Sequence, residues 1–194
     1  MPEARSPKPE AQLIAQPERE ALLTLARQVL DARVRRRPLP DAPEGGVFDL
    51  PCGAFVTIHR HGALRGCLGR LEPSSLSVTI VHLAAVVSDS DPRFEPVRPE
   101  EVDDLEIEIS VLTPDRDVAT IDEIELGRHG LIVEQGYRRG LLLPQVATEH
   151  GWSVMNFVEH TCLKAGLPRD AWKQGARLKV FEAEVFGERR GRRV

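Results

Sequence analysis

Chemistry in this chain is most strongly indicated at residues 64–69, which read LRGCLG. The thiol of Cys67 lies between two glycines and two residues after Arg65, so backbone N–H groups and a guanidinium are expected beside it. Both would favour the nucleophilic thiolate, while Gly66 and Gly69 would let a ligand approach the backbone. The pattern predicts a reactive or ligand-contacting Cys67, with Arg65, Gly66 and Gly69 as binding residues. A buried, inert cysteine packed as a small hydrophobe is the alternative.

A nucleophilic cysteine normally needs a base, and His129, which is flanked by Gly127 and Gly130, is the candidate; it lies in one of the stretches that carry the family resemblance described below. We therefore predict that Cys67 and His129 are the catalytic pair. The alternative role for His129 is to stabilise a tight turn by bonding to backbone.

Charged residues supply further candidates for binding. Asp91 and Arg93 flank Pro92, in a segment that must leave the preceding helix, so they could hold a carboxylate, a phosphate or a partner side chain. An internal salt bridge that fixes the loop is the alternative. Glu149 could serve as acid, base or metal ligand, or more simply as a carboxylate in the first turn of a helix.

Neither a metal nor a cofactor is predicted. His59 and His61 have the spacing of two ligands on one side of a strand and could join Cys67, but they fall where a hairpin should turn, and no local carboxylate completes the set. Phosphate-binding, dinucleotide-binding, zinc-protease and serine-hydrolase motifs are all absent from the sequence. The three cysteines form no Cys-x-x-Cys pair and are expected to be reduced thiols.

Hydrophobic periodicity places these residues on specific elements. Apolar residues at helical spacing predict three helices. The first covers residues 17–37, the second runs from a cap at Ser74 or Ser75 to Asp91-Pro92, and the third runs from a cap at Ser153 to Gly166. Alternation predicts strands over 53–58, 63–71, 105–111 and 177–186, with a hairpin over 130–143. In the last strand, Phe181, Ala183 and Val185 are expected to share one face.

Strands and helices do not alternate strictly, and several strands alternate apolar with charged residues. The predicted fold class is therefore α+β, with a mainly antiparallel sheet flanked by helices. Residues 17–188 are expected to form a single domain, preceded by a disordered Pro-rich arm over 1–16 and followed by a basic tail over 189–194.

Composition narrows the function classes. The formal net charge of −4 and the 5% aromatic content argue against a nucleic-acid-binding surface. No segment has the length and apolarity of a membrane span, and no secretory signal is readable at the N-terminus, so a cytoplasmic location without membrane contact is expected.

Six separated stretches together resemble the AMMECR domain family, known in prokaryotes as AmmeMemoRadiSam system protein A. These stretches occur in family order between about residues 20 and 188. The sequence departs from the family pattern in small ways: Leu68 stands where isoleucine is commoner, and His59 and His61 occupy variable positions. The matching stretches are Gly53 to Thr57, Leu64 to Gly69, Asp91 to Phe94, Gly127 to Gly130, Leu142 to Ala147, and Lys164 to Pro168 followed by Ala171-Trp172.

The resemblance implies an α+β fold of two unequal lobes, with the Arg-Gly-Cys motif near the cleft between them as an active or binding site. It also implies two partners, a Memo-like protein and a radical S-adenosylmethionine enzyme. Our leading hypothesis is a cytosolic component of that system that uses the Cys67 cleft for a modification reaction or for substrate delivery. The rival hypothesis is a non-catalytic binding or scaffold module that recognises a protein partner through Arg65, Cys67, Asp91 and Arg93.

Overall fold

The fold, seen in a computed structural model that describes residues 14–188, combines helices with antiparallel sheets and confirms the predicted α+β class. The helices are α1 (Gln16–Val34), α2 (Leu76–Val86), α3 (Pro144–Glu149) and α4 (Val154–Lys164). The strands are β1 (Pro51–Arg60), β2 (Ala63–Ser75), β3 (Leu105–Leu112), β4 (Arg116–Val118), β5 (Gly130–Gln135), β6 (Arg138–Leu142), β7 (Arg177–Phe181) and β8 (Ala183–Gly187).

The first sheet has the strand order β2-β1-β3-β8, with every neighbouring pair antiparallel. Alternation in β3 buries Leu105, Ile107, Ile109 and Val111 on one face, as predicted. That face packs against α1 and α2, and the resulting core includes Leu22, Val29, Ile58, Ile80 and Ile109. The opposite face of the sheet, which we call the open face, carries Thr57, Glu108 and Ser110, because alternate residues of a strand point to opposite sides.

The second sheet has the order β4-β7-β5-β6 and is also antiparallel. Its inner face packs on α4 around Phe157 and Val158, with Leu131, Val133 and Val180 from the strands. The helix begins as predicted, since the Ser153 hydroxyl accepts the Asn156 N–H.

A small third cluster joins the two sheets through Leu112, Ile132 and Phe181. The chain passes from one sheet to the other at two neighbouring points, after β3 and again between β7 and β8. Two hydrogen bonds connect these points, because Thr113 donates its N–H to the Glu182 carbonyl and Glu182 donates its N–H to the Thr113 hydroxyl, each at 2.8 Å. These bonds fix how the open face of the first sheet meets the second sheet.

This crossing corrects the prediction of one strand over 177–186. The strand ends at Phe181, Glu182 interrupts it, and the next strand belongs to the other sheet. Phe181 is consequently buried in the third cluster, whereas Val185 is 52% exposed on the first sheet, so the two do not share a face. A continuous alternating pattern can therefore span two strands when the chain changes sheets.

Other elements differ in detail from the predictions. The first helix ends at Val34 rather than Arg37, and Ser75 occupies the cap position of α2 but donates its hydroxyl to the Phe48 carbonyl instead of capping. The short α3 and β4 were not predicted. Ile14, placed at the end of the expected disordered arm, is fully buried in the first core. Gln16, the last residue of that arm, begins α1. Residues 1–13 of the arm and the tail 189–194 lie outside the described residues.

None of the helices in residues 14–188 combines the length and the apolarity needed to cross a membrane.

Candidate functional site

The LRGCLG segment lies in β2, an edge strand of the first sheet, and Cys67 points away from the helical core. Gly66 and Leu68 face the core instead, and a Cβ at Gly66 would come within 2.9 Å of the Val87 carbonyl oxygen. The alternation of β2 therefore requires glycine at position 66 for helix packing, and it presents the Cys67 thiol on the open face.

The thiol of Cys67 contacts a threonine on the neighbouring strand. Thr57 pairs with Cys67 in the register of β1 and β2, and its hydroxyl donates to Sγ at 3.3 Å. On its other side Thr57 pairs with Glu108 of β3. Cys67, Thr57 and Glu108 thus form a row across the open face, with adjacent strands about 5 Å apart.

A second row lies beside the first. Phe55 pairs with Gly69 on one side and with Ser110 on the other, and Ser110 in turn pairs with Val185. The Phe55 ring covers Gly69 so closely that a Cβ at position 69 would overlap it. Glycine is required here because the aromatic ring occupies the space of a side chain.

Asp91 and Arg93 hold the backbone of Cys67. The Asp91 carboxylate accepts the Cys67 N–H at 2.9 Å, and the Arg93 guanidinium donates to the Cys67 carbonyl at 3.3 Å. Asp91 and Arg93 also form an ion pair at 2.7 Å. The two residues thus provide hydrogen-bond partners for the outward-facing N–H and carbonyl of Cys67 in this edge strand, as the backbone of a neighbouring strand would do. Asp91 and Arg93 therefore form an internal salt bridge that fixes their loop, rather than a site left open for a ligand.

The carboxylate of Asp91 is strongly perturbed by this arrangement. Hydrogen bonds from the Arg93 guanidinium, with others from the N–H groups of Cys67 and Arg93, hold the pKa of Asp91 well below its usual range. They outweigh its burial, which acts in the opposite direction. Asp91 is therefore an ionised acceptor rather than a general acid.

Arg65 does not direct its charge at the thiol. Its guanidinium makes a two-pronged pair with the Glu101 carboxylate, at 3.2 and 3.1 Å, and donates to the carbonyls of Glu95 and Pro96. Arg65 lowers the pKa of Glu101, as expected for a carboxylate bound by a guanidinium. This arginine ties β2 to the segment before β3.

His129 lies in a turn with its own partners. Its Nδ1 accepts the Glu125 N–H at 3.0 Å, and its Nε2 lies 3.7 Å from a Glu182 carboxylate oxygen. Burial lowers the pKa of His129, so the neutral ring is favoured. Within the described part of the chain no hydrogen bond joins His129 to Cys67, and the geometry is that of a turn-stabilising histidine.

The remaining candidates are dispersed. Glu149 is exposed at the last residue of α3, not in the first turn of a helix. His61 lies in the turn between β1 and β2 with a positive φ of 52°, 3.8 Å from Asp104, while His59 is half-buried in β1. Among residues 14–188 no group of three or more histidine, cysteine or acidic side chains is arranged to hold a metal ion.

A groove of about 970 Å³ lies over the open face of the first sheet, and we call it the Cys67 groove. Its floor contains Phe55, Thr57, Cys67, Glu108, Ser110 and Val185. Its walls include the loop at Gly127 and Arg128, the start of α3, and Glu182 at the sheet crossing. The groove brings the thiol of Cys67, which the sequence motif predicted, together with side chains outside that motif.

Sequence reasoning missed Thr57, Glu108 and Ser110 as site residues. The alternation of residues 105–111 did place Glu108 and Ser110 on the polar face of a strand. That this face carries the Cys67 row depends on the pairing of β1 with both β2 and β3, which no local pattern reveals.

Comparisons with known proteins agree with the family resemblance and with the fold. The AMMECR1 family profile matches residues 23–186. A protein of Methanosarcina barkeri is 43% identical over 183 residues, covering 89% of this chain and 91% of that protein. A protein of Methanothermobacter thermautotrophicus is 41% identical over 187 residues, covering 90% of this chain and 96% of that protein.

A solved structure shows the same architecture. The crystal structure of an uncharacterised protein from Pyrococcus horikoshii matches with a TM-score of 0.76 and 37% identity, covering 90% of this chain and 93% of that one. On the extent of the profile match and the identity to these relatives, the chain belongs to the AMMECR1 family.

Proposed function

We propose that the Cys67 groove is the functional site, and that it binds a substrate or partner segment beside the thiol as one component of a Memo and radical S-adenosylmethionine system. The observation that carries the proposal is the position of Cys67. Its thiol lies half-buried on the floor of a groove of about 970 Å³, while its backbone N–H and carbonyl are held by Asp91 and Arg93. A fixed thiol in a large groove suits recognition or presentation of a ligand.

Binding and delivery are supported better than self-contained nucleophilic catalysis. The hydrogen-bond partner of Sγ is the Thr57 hydroxyl, and no histidine bonds to the thiol in residues 14–188. His129 is engaged with Glu125 and Glu182. A modification reaction at Cys67 would therefore take its base from the substrate or from a partner protein.

The proposed partners rest on the family resemblance. The prokaryotic system name pairs this domain with a Memo-like protein, whose relatives include non-haem iron dioxygenases, and with a radical S-adenosylmethionine enzyme. In this proposal those proteins carry out the redox chemistry, and the Cys67 groove supplies a binding site for the molecule on which they act. The protein acts in the cytoplasm.

Two matched valine substitutions test the use of the groove. Val185 is 52% exposed on the groove floor, and Val78 is 49% exposed on α2, away from the groove. Tagged wild type, Val185→Trp and Val78→Trp are each co-expressed with the Memo-like and radical S-adenosylmethionine proteins of the same genome. Val185→Trp is expected to reduce co-purification at least tenfold, because an indole fills the groove, while Val78→Trp retains both partners.

Cys67→Ser separates binding from thiol chemistry. If the groove serves recognition, this variant keeps its partners, since serine preserves the shape of the floor. Equal recovery of partners by wild type and Val185→Trp would show that they do not bind at the groove. Recovery of neither partner by wild type would remove the proposed association.

A further inference from the structure

Glu108 distinguishes the floor of the Cys67 groove from an ordinary polar surface. Five charged residues line the groove: Arg19, Glu108, Arg128, Glu182 and Glu184. Four of them form ion pairs with each other, since Arg19 binds Glu184 at 2.5 Å and Arg128 binds Glu182 at 3.1 Å. Glu108 makes neither a side-chain hydrogen bond nor an ion pair to any residue of 14–188, so its negative charge is uncompensated there.

The position of Glu108 places that charge on the floor of the groove. It is half-buried in the middle of β3, on the face opposite the core, and it pairs with Thr57, which contacts the Cys67 thiol. Two strand spacings separate Glu108 from Cys67, or about 10 Å between Cα atoms. Ser110 follows on the same face of β3, and its hydroxyl likewise has no bond within the described residues.

The rest of the floor is apolar. Phe55 and Val185 lie on the strands either side of Ser110, and Leu143 lies on the adjacent wall. The nearby cations are already used: Arg93 is paired with Asp91 and Arg65 with Glu101. Both cations among the described residues that line the groove, Arg19 and Arg128, are already paired, so an anionic ligand would find no unpaired partner in that lining. A ligand with one positive group and an apolar part would match both the charge and the apolar area.

We infer that the Cys67 groove takes a ligand bearing a primary ammonium group, which Glu108 binds while an apolar portion covers Phe55 and Val185 and another part reaches Cys67. This inference rests on the proposed function of the groove. The ammonium belongs either to a lysine side chain of a protein segment or to a small free amine.

Thiol-specific reagents of different charge test the inference on the intact chain. Methyl methanethiosulfonate is neutral, its trimethylammonioethyl analogue is cationic and its sulfonatoethyl analogue is anionic. Each converts the cysteine to a mixed disulfide and releases methanesulfinate, and Cys67 is followed by mass spectrometry. The rate of Cys67 modification by each reagent is divided by the rate at which that reagent reacts with free 2-mercaptoethanol. This normalisation removes the differences in intrinsic reactivity between the reagents.

For wild type, the normalised rate with the cationic reagent is expected to exceed that with the anionic one by about tenfold at low ionic strength. Glu108→Gln should reduce that ratio to near one, and Glu108→Lys should invert it. Glu106→Gln, on the same face of β3 but outside the groove lining, should leave it nearly unchanged. A ratio near one in wild type, or a high ratio retained in Glu108→Gln, would overturn the inference.

The neutral reagent separates this inference from the proposed function. If it fails to modify Cys67 in the folded chain, the groove is closed to ligands and both ideas fail. If it modifies Cys67 while the charge ratio does not depend on Glu108, only the ammonium site fails.

Protection experiments then distinguish the two sources of the ammonium. Hexylamine and an N-acetylated, C-amidated Leu-Lys dipeptide are each expected to slow the neutral reagent in wild type but not in Glu108→Gln. Protection by the peptide alone assigns a protein lysine, and protection by hexylamine alone assigns a small amine. Protection by neither, or equal protection by hexanoate, would contradict the inference.

Discussion

The carboxylate of Asp91 accepts the backbone N–H of Cys67 at 2.9 Å, across 24 residues of sequence. Because β2 is the edge of its sheet, this bond replaces the partner that a neighbouring strand would supply. The thiol on the floor of the Cys67 groove is thus positioned by a loop that is itself closed by the Asp91–Arg93 ion pair.

Replacing Asp91 should weaken the fold and loosen the thiol. In Asp91→Ala, the backbone N–H of Cys67 and the Arg93 guanidinium both lose their acceptor, and we expect about 2–3 kcal/mol less free energy of unfolding. Asp91→Asn, which retains one acceptor oxygen, should lose roughly half of that. Urea denaturation measures both, and an unchanged midpoint in Asp91→Ala would show that the bond contributes nothing to stability.

The same carboxylate should produce an acid-sensitive component of stability. The folded pKa of Asp91 is lowered, so its contribution is complete above the unfolded value of about 4 and is lost as pH falls through the folded pKa. Wild type should therefore lose more stability than Asp91→Asn between about pH 4 and pH 2. Parallel pH profiles for the two proteins over that range would contradict the assignment.

His129 should matter for the turn and not for the thiol. His129→Gln removes the ring whose Nδ1 accepts the Glu125 N–H, and a stability loss of about 1 kcal/mol is expected. The alkylation rate of Cys67 should stay within twofold of wild type. A sharp fall in that rate with the fold intact would restore the catalytic pair that the sequence suggested.

A pH profile provides a second check on His129. Burial lowers its folded pKa, so the neutral ring stabilises the fold above the unfolded value of about 6.5, and this contribution is lost as pH falls below that value. The difference in free energy of unfolding between wild type and His129→Gln should therefore shrink from pH 7.5 to pH 5. A difference that grows as pH falls would refute the neutral, buried ring.

The sequence predicted the elements well where the patterns were local. The alternation of 105–111 identified β3 and its buried face, and Ser153 identified the start of α4, because these signals depend on neighbouring residues. The prediction of a single strand over 177–186 was wrong because the exchange between sheets at Glu182 leaves the alternation almost unbroken.

The site was predicted less completely for a related reason. Cys67 and its flanking glycines could be recognised from residue types and spacing, but the partners of Arg65 could not. The carboxylate that binds Arg65, Glu101, lies 36 residues further along the chain. Glu108 and Ser110 likewise became site residues only through strand pairing, which brings β3 beside β1.

Cys67 should be the first cysteine to react in the folded protein. Cys52 and Cys162 are 4% and 0% exposed, and burial raises the pKa of both thiols, that of Cys52 to about 11. Iodoacetamide at pH 8 should therefore modify one site, Cys67, at least tenfold faster than the other two, and unfolding in urea should equalise them. Comparable rates in the folded state would mean that the groove does not expose the thiol.

Gly69 should resist even the smallest side chain, because the Phe55 ring occupies the position of its Cβ. Gly69→Ala is expected to cost about 2–3 kcal/mol of unfolding free energy as the ring is displaced. In a Phe55→Ala background the same change should cost less than about 1 kcal/mol, giving a coupling of at least 1 kcal/mol between the two positions. Gly187→Ala, also in an edge strand but with its nearest atom at 3.2 Å, is the milder control. Additive losses in the double mutant would show that the ring does not cover Gly69, and that the shape of the groove floor does not depend on this pair.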